Sequence, residues 1–192
     1  MFVGRRPSQQ TIDRFLHVSQ GLPLSYGPVG IVQAETPGCS VDEQTVTIGR
    51  GKADFERARD ALLTWQHFDL GWVELFPRRA PVAVGTVVAV LIRHFGCWSL
   101  NGCRVVYTVG SANEGDRFGL AYGTLTNHEE AGEELFELFM DSRTEDVRYR
   151  IRATSRPRAA LAWLGRPIVR TLQTRFRRDS AAVMERATTR PT

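Results

Sequence analysis

The chain has 192 residues, 42% of them apolar, and a formal net charge of +4. That length can bury a full core in one domain, residues 1–192, so neither a disulfide framework nor a structural metal is needed to hold it together. The three cysteines, Cys39, Cys97 and Cys103, are odd in number, and neither a signal peptide nor an apolar run of about eighteen residues is present, so no membrane span is expected and the expected compartment is the cytoplasm.

The basic residues include one lysine, Lys52, among many arginines. Such an imbalance is expected of a GC-rich bacterial genome, whereas nucleic-acid binders more often carry a mixed Lys/Arg patch with exposed aromatics.

An N-terminal helical segment falls within residues 1–24, where Ile12, Phe15, Leu16 and Ser19 share a side. "PLSYGPVG" follows as an extended piece with turns. Thr45 to Ile48 alternates as a strand, and Asp54 is placed to cap a helix that gathers Phe55, Ala58, Leu62 and Trp65 on one face. The glycines of "GRGKADF" precede this helix without the spacing of a phosphate-binding loop.

After Trp72 the period becomes two, giving "WVELFP", "VGTVVAVLIRHFGCWSL", "CRVVYTV", "RFGLAYGTL", "EELFELFMD" and "EDVRYRIRAT" as consecutive strands. Their short connections predict antiparallel neighbours. Asn101-Gly102 is a strong hairpin signal for a two-residue turn. Placing the turn there puts Ile92, His94, Trp98, Leu100, Cys103, Val105 and Tyr107 on one apolar face, with His94 and Tyr107 as diagonal neighbours. It also puts Cys97 on the other face from Cys103, which disfavours a disulfide between them.

The last helix is expected over residues 156–188, broken near Gly165 and resumed at Pro167. Leu161, Leu164, Ile168, Leu172, Phe176, Ser180, Val183 and Ala187 form its apolar stripe, and Arg166, Arg170, Arg177 and Arg178 fall mostly away from it, as a solvated face does. Arg175 and Asp179, four apart at the stripe's edge, suit a partly buried ion pair with a structural role. The fold class is therefore α+β: a curved antiparallel sheet of about six to seven strands, one face covered by the long helix.

Alternation along the strands gathers His94, Tyr107, Tyr122, Glu134 and Tyr149 on the concave side among apolar walls, the usual make-up of a small-molecule pocket. Trp98, Tyr122, Tyr149, Phe136, Leu172 and Phe176 are the candidate ligand-binding residues. His94, Tyr107 and Glu134 are the candidate catalytic ones. Imidazole titrates near neutrality, and a buried carboxyl without a cationic partner gains proton affinity, which is how general acids are made. Each has a plainer alternative: a hydrogen-bonded core residue, or for Glu134 a salt bridge to an arginine or an outward-facing position. The histidines are scattered and no HxH, HExxH, CxxC or GxSxG occurs, so neither a metal site nor a nucleophilic hydrolase is expected.

The stretches "PLSYGPVG", "IGRGKADFERARDALLTW", "GLAYGTLTNHEEAGEELFEL" and "VRYRIRATSRPRAALAWLGRPIVRTLQTRFRRDSAAVM" together resemble the family called domain of unknown function nineteen-ninety, over nearly the whole chain. The most specific part is the last, with Ser155-Arg156-Pro157, Gly165, Pro167, Gln173, Phe176 and Ser180. The pair of cysteines in "GCWSLNGC" departs from the family pattern. That family resembles the helix-grip superfamily of START-like, polyketide-cyclase and pollen-allergen proteins. The resemblance implies a sheet wrapped around a long C-terminal helix, with a cavity between them, but no reaction.

Three functions are then in competition. The first is the binding of a hydrophobic or amphipathic small molecule in the cavity. The second is cofactor-independent acid/base cyclisation, isomerisation or dehydration of a polyketide-like or terpenoid substrate. The third, an RNA-associated or structural role for the helix arginines, ranks last because solvation already accounts for them. Homo-oligomerisation stays open.

Overall fold

The computed structural model describes residues 2–33, 41–110, 115–157 and 166–189. In chain order the elements are β1 (Phe2–Val3), α1 (Gln9–Gln20), β2 (Val41–Arg50), α2 (Gly51–Leu63), a 3-10 turn (Gln66–Phe68), β3 (Val73–Phe76), β4 (Val87–His94), β5 (Cys97–Gly110), β6 (Arg117–Thr124), β7 (Glu130–Met140), β8 (Asp146–Pro157) and α3 (Arg166–Thr189). The eight strands form one antiparallel sheet in the order β2-β8-β7-β6-β5-β4-β3, with β1 added to β5. This is the expected helix-grip arrangement, a curled sheet closed on one side by a C-terminal helix.

The main core lies between the concave face and the helices α2 and α3. Val88, Val90, Phe118, Leu120, Phe136, Leu138, Tyr149 and Ile151 supply the sheet side, and Phe55, Ala58, Leu62 and Met184 the helix side. Smaller clusters cover the outer face: Ile12 of α1 packs with Leu91 and Leu100, and Val32 packs with Ala121 and Leu135. In α3 Ser180 is buried as expected, but beyond it the buried residues are Ala181, Met184 and Thr188, so the inner face is shifted by one position from the expected Val183 and Ala187, which are half-buried.

Several boundaries differ from expectation. α2 begins at Gly51, ahead of Asp54, whose carboxylate reaches back to accept the Arg50 N–H at 2.7 Å. Gly49 gives Asp54 the room, since a Cβ there would lie 2.6 Å from its Oδ2. Arg156 and Pro157 end β8 instead of opening a helix. The expected break near Gly165 and Cys39 both lie outside the described residues.

The largest correction is the hairpin. The β4–β5 turn falls at Phe95-Gly96, with φ of 48° and 79°, the paired positive values of a two-residue type I′ turn. Asn101 and Gly102 lie inside β5 instead, opposite Val90 and Ala89. Gly102 is needed for close approach, because a Cβ there would meet Asn127 Oδ1 at 2.3 Å. Moving the turn reverses the parity of Trp98 and Leu100, which face outward against α1. A β-bulge between Val105 and Tyr107 reverses parity again, so Tyr107 pairs with Ala121 and also faces outward. Cys97 is exposed at the hairpin, Cys103 is buried mid-strand, and both are free thiols.

Candidate functional site

A cavity of about 430 Å³ lies between the concave face and α3, a size that admits a drug-sized molecule. Phe68, Trp72, Val90, Ile92, Tyr122, Leu172 and Phe176 form its apolar walls. The rings of Phe68 and Phe176 are 5.2 Å apart, and Phe136, fully buried behind them, is 5.5 Å from Tyr122 and 6.2 Å from Phe176. Phe136 therefore backs the wall without lining it. Where the lining reaches solvent, Phe95 and Glu129 are exposed.

Polar groups are concentrated on the sheet wall. Tyr122 and Glu134 are directly opposed across β6 and β7, and the phenol donates to Glu134 Oε2 at 2.6 Å. Burial is the main cause that raises the Glu134 carboxyl to about 7, partly offset by the Tyr122 hydrogen bond and the nearby Arg177 charge. Burial, reinforced by Glu134, likewise holds the Tyr122 hydroxyl well above its ordinary value, so it stays a donor. Glu134 shares the face of Phe136 and Leu138. Glu133 and Glu137 take the other face, where Arg117 and Arg150 pair with Glu137.

His94 lines the same cavity, and its Nε2 lies 3.2 Å from Ser99 Oγ. Asn101 Nδ2 donates to that oxygen at 3.2 Å. Burial lowers the His94 pKa and so favours the neutral ring. Ser99 and Asn101 escape notice in the sequence because the Asn-Gly pair reads as a turn. At the β7 start, Gln173 Nε2 donates to Glu130 Oε2 at 3.0 Å and to Ser155 Oγ at 3.4 Å. Burial raises the Glu130 carboxyl despite those bonds. Gln173 and Ser155 belong to the stretch that carries the family resemblance, and the structure brings both to the cavity wall.

Three candidate residues lie elsewhere. Tyr107 donates to Glu133 Oε1 at 3.0 Å on the outer face, where Tyr26 and the Gly30 N–H also hold that carboxylate. Trp98 is also on the outer face, packed with Phe15 and Leu16 and lying under Arg6 and Arg93. Tyr149 is buried in the core, its hydroxyl 3.0 Å from Ser180 Oγ.

On α3, Asp179 accepts from Arg175 at 3.3 Å, from Arg178 at 2.9 Å and from Trp72 Nε1 at 3.0 Å, while the Arg175 guanidinium sits 4.4 Å over the Trp72 ring. The ion pair thus seats a cavity-wall tryptophan. Arg177, expected on the solvent side, instead lines the cavity and pairs with Asp42 at 3.9 Å.

His67, which no motif singles out, is fully buried against Trp65 and Phe136, and among the described residues neither ring nitrogen has a hydrogen-bond partner. Burial takes its pKa down to about 3, so the ring is neutral. Among the described residues no three or more His, Cys, Asp or Glu side chains are grouped to hold a metal ion, and no helix is long and apolar enough to cross a membrane.

The family described as a domain of unknown function (DUF1990) matches residues 25–183. A UPF0548 protein of Dictyostelium discoideum is 31% identical over 206 residues, covering 97% of this chain and 95% of its own, so relatives extend beyond bacteria. Among solved structures, TTHA0849 from Thermus thermophilus matches with a TM-score of 0.53 at 12% identity, over 78% of this chain and 96% of that one. The di-domain ARO/CYC BexL from the BE-7585A biosynthetic pathway matches with a TM-score of 0.56 at 15% identity, over 82% of this chain and 52% of that one. At these identities the structural likeness speaks to the fold.

Proposed function

This chain belongs to the family described as a domain of unknown function (DUF1990), and on that premise we propose that it holds a hydrophobic or amphipathic small molecule between its sheet and its C-terminal helix. The observation that carries this reading is the cavity of about 430 Å³ with aromatic and aliphatic walls and polar groups gathered on the sheet side. Apolar area removed from water supplies affinity at about 25 cal/mol per Å², less the cost of ordering the ligand. Tyr122, Glu134 and Gln173 orient its polar end. The helix arginines support this reading over RNA association, because Arg175 and Arg178 are engaged by Asp179 and Arg177 by Asp42.

Native mass spectrometry of the purified protein, followed by denaturing extraction, tests the proposal. A co-purifying molecule that is released on denaturation, and lost or changed in Tyr122→Phe or Glu134→Gln, is the expected result. A protein that is empty and leaves a metabolite library unbound would overturn it.

A second reading, cofactor-independent acid/base catalysis on the bound molecule, is favoured by one observation: the Glu134 carboxyl is poised at about 7 beside the Tyr122 donor. Near neutrality it can give a proton to a substrate oxygen or take one from carbon. Neutral His94 is a further titratable group on the cavity wall. In this reading Glu134→Gln keeps ligand binding and abolishes conversion, and the wild-type rate shows an inflection near pH 7. Conversion that survives in Glu134→Gln sinks it.

A further inference from the structure

The polar lining of the cavity has a sign, and the sign narrows the class of molecule it can hold. Glu129, Glu130 and Glu134 all contribute to the lining, against one guanidinium, that of Arg177. That guanidinium is already committed, 3.9 Å from Asp42 Oδ2. Glu134 has no arginine or lysine within salt-bridge distance among the described residues, and its side-chain partner is the Tyr122 phenol at 2.6 Å. Glu130 is held by Gln173, a neutral donor.

Phe68 and Phe176 line the same cavity, aromatic rings that attract a cation and gain nothing from an anion, and Trp72 on the same wall already carries the Arg175 guanidinium on its ring. An anionic headgroup would bring a further negative charge to Glu130 and Glu134, whose burial already disfavours their charged forms. An ammonium would instead convert Glu134 into a charge-assisted acceptor, with the Tyr122 hydroxyl stabilising the carboxylate that results.

From this juxtaposition of carboxyl groups with aromatic walls in one cavity, we infer that the molecule held there is an organic amine, its ammonium on Glu134 and its apolar body between the sheet and α3. The inference rests on the proposed ligand-binding role of the cavity.

Calorimetric titration of the full chain with 4-phenylbutylamine, 4-phenylbutanol and 4-phenylbutyric acid tests it, because the three probes share a body and differ in the head. At pH 7.5 the amine is expected to bind about tenfold tighter than the alcohol, and the acid more weakly than either. Glu134→Gln, which retains an acceptor for Tyr122, brings the amine-to-alcohol ratio toward one.

A second measurement needs no variant. Amine affinity of the wild-type chain falls toward about tenfold per pH unit below 7, because the ammonium must displace the Glu134 proton, and at pH 6 binding releases about 0.9 proton, read from the dependence of the heat on buffer ionisation. Glu130 on β7 titrates in the same sense. His94 from β4, His128 and Glu129 from the β6–β7 turn, Tyr122 from β6 and Arg177 with Asp42 are the other charged or titratable groups at the site. Equal affinities for the three probes, or preference for the acid, would overturn the amine while leaving the cavity a binding site. If none of the three binds, the amine inference falls, and the binding role falls with it only where native mass spectrometry also finds the protein empty and the metabolite library unbound.

Discussion

Tyr149 of β8 and Ser180 of α3 meet hydroxyl to hydroxyl at 3.0 Å in the closed part of the core, tying the helix to the sheet it covers. Both side chains are excluded from water, with exposures of 1% and 0%. Removing one partner strands the other, at a cost of about 1–3 kcal/mol. Tyr149→Phe is therefore expected to lower the urea midpoint, and Tyr149→Phe combined with Ser180→Ala to cost less than the sum of the single changes. Additive losses would show that the two hydroxyls are not coupled.

Glu134 links pH to stability with a definite sign. Its folded-state pKa, about 7, lies above the ordinary 4.5. The folded chain therefore holds a proton that the unfolded chain has lost, and stability falls as pH rises through that window. Glu134→Gln removes the dependence and is expected to stabilise the protein at pH 8 by about 2 kcal/mol, the full shift being lessened by the water the cavity admits. At pH 4 the two proteins should unfold at nearly the same denaturant concentration. A wild-type stability that gains on that of Glu134→Gln between pH 5 and 8 would contradict the assignment.

The outer-face carboxylate Glu133 is held by Tyr26, Tyr107 and the Gly30 N–H, so it pins the segment after α1 to the sheet. Tyr107→Phe takes away one of these donors from a residue only 2% exposed and should cost about 1–2 kcal/mol. The segment around Tyr26 to Val32 should then be cut faster in limited proteolysis. Occupancy of the cavity should not change, since Tyr107 is on the other face. Lost ligand with unchanged proteolysis would return Tyr107 to the site.

Phe95 occupies a left-handed position in the β4–β5 turn, with φ of 48° and 76% of its surface exposed. Asparagine tolerates that conformation better than phenylalanine and is preferred before glycine in a type I′ turn. Phe95→Asn is expected to raise stability by about 0.5–1 kcal/mol, read from thermal unfolding. A clear loss would mean that the ring has a packing role at the cavity rim.

Periodicity determined the main elements and their order, though not the short β1 or where β8 gives way to α3. Ile12, Phe15 and Leu16 marked α1, Phe55, Ala58 and Leu62 marked α2, and the period-two runs after Trp72 marked the meander, because each pattern reports which side of a local element must leave water. The placing of Leu172 and Phe176 on the inner side of α3 was legible for the same reason, whereas the side that Glu134 faces, left open by the alternation, took the register of β7 against β6 and β8 to fix.

What only the tertiary structure decided was where alternation is reset. The turn at Phe95-Gly96 and the bulge after Val105 each invert the faces beyond them, sending Trp98 and Tyr107 outward and turning Ser99 and Asn101 toward His94. A two-residue period carries no memory of its phase across a turn or an extra residue. Contacts far along the chain set that phase instead, such as the Asn127 side chain that occupies the space above Gly102.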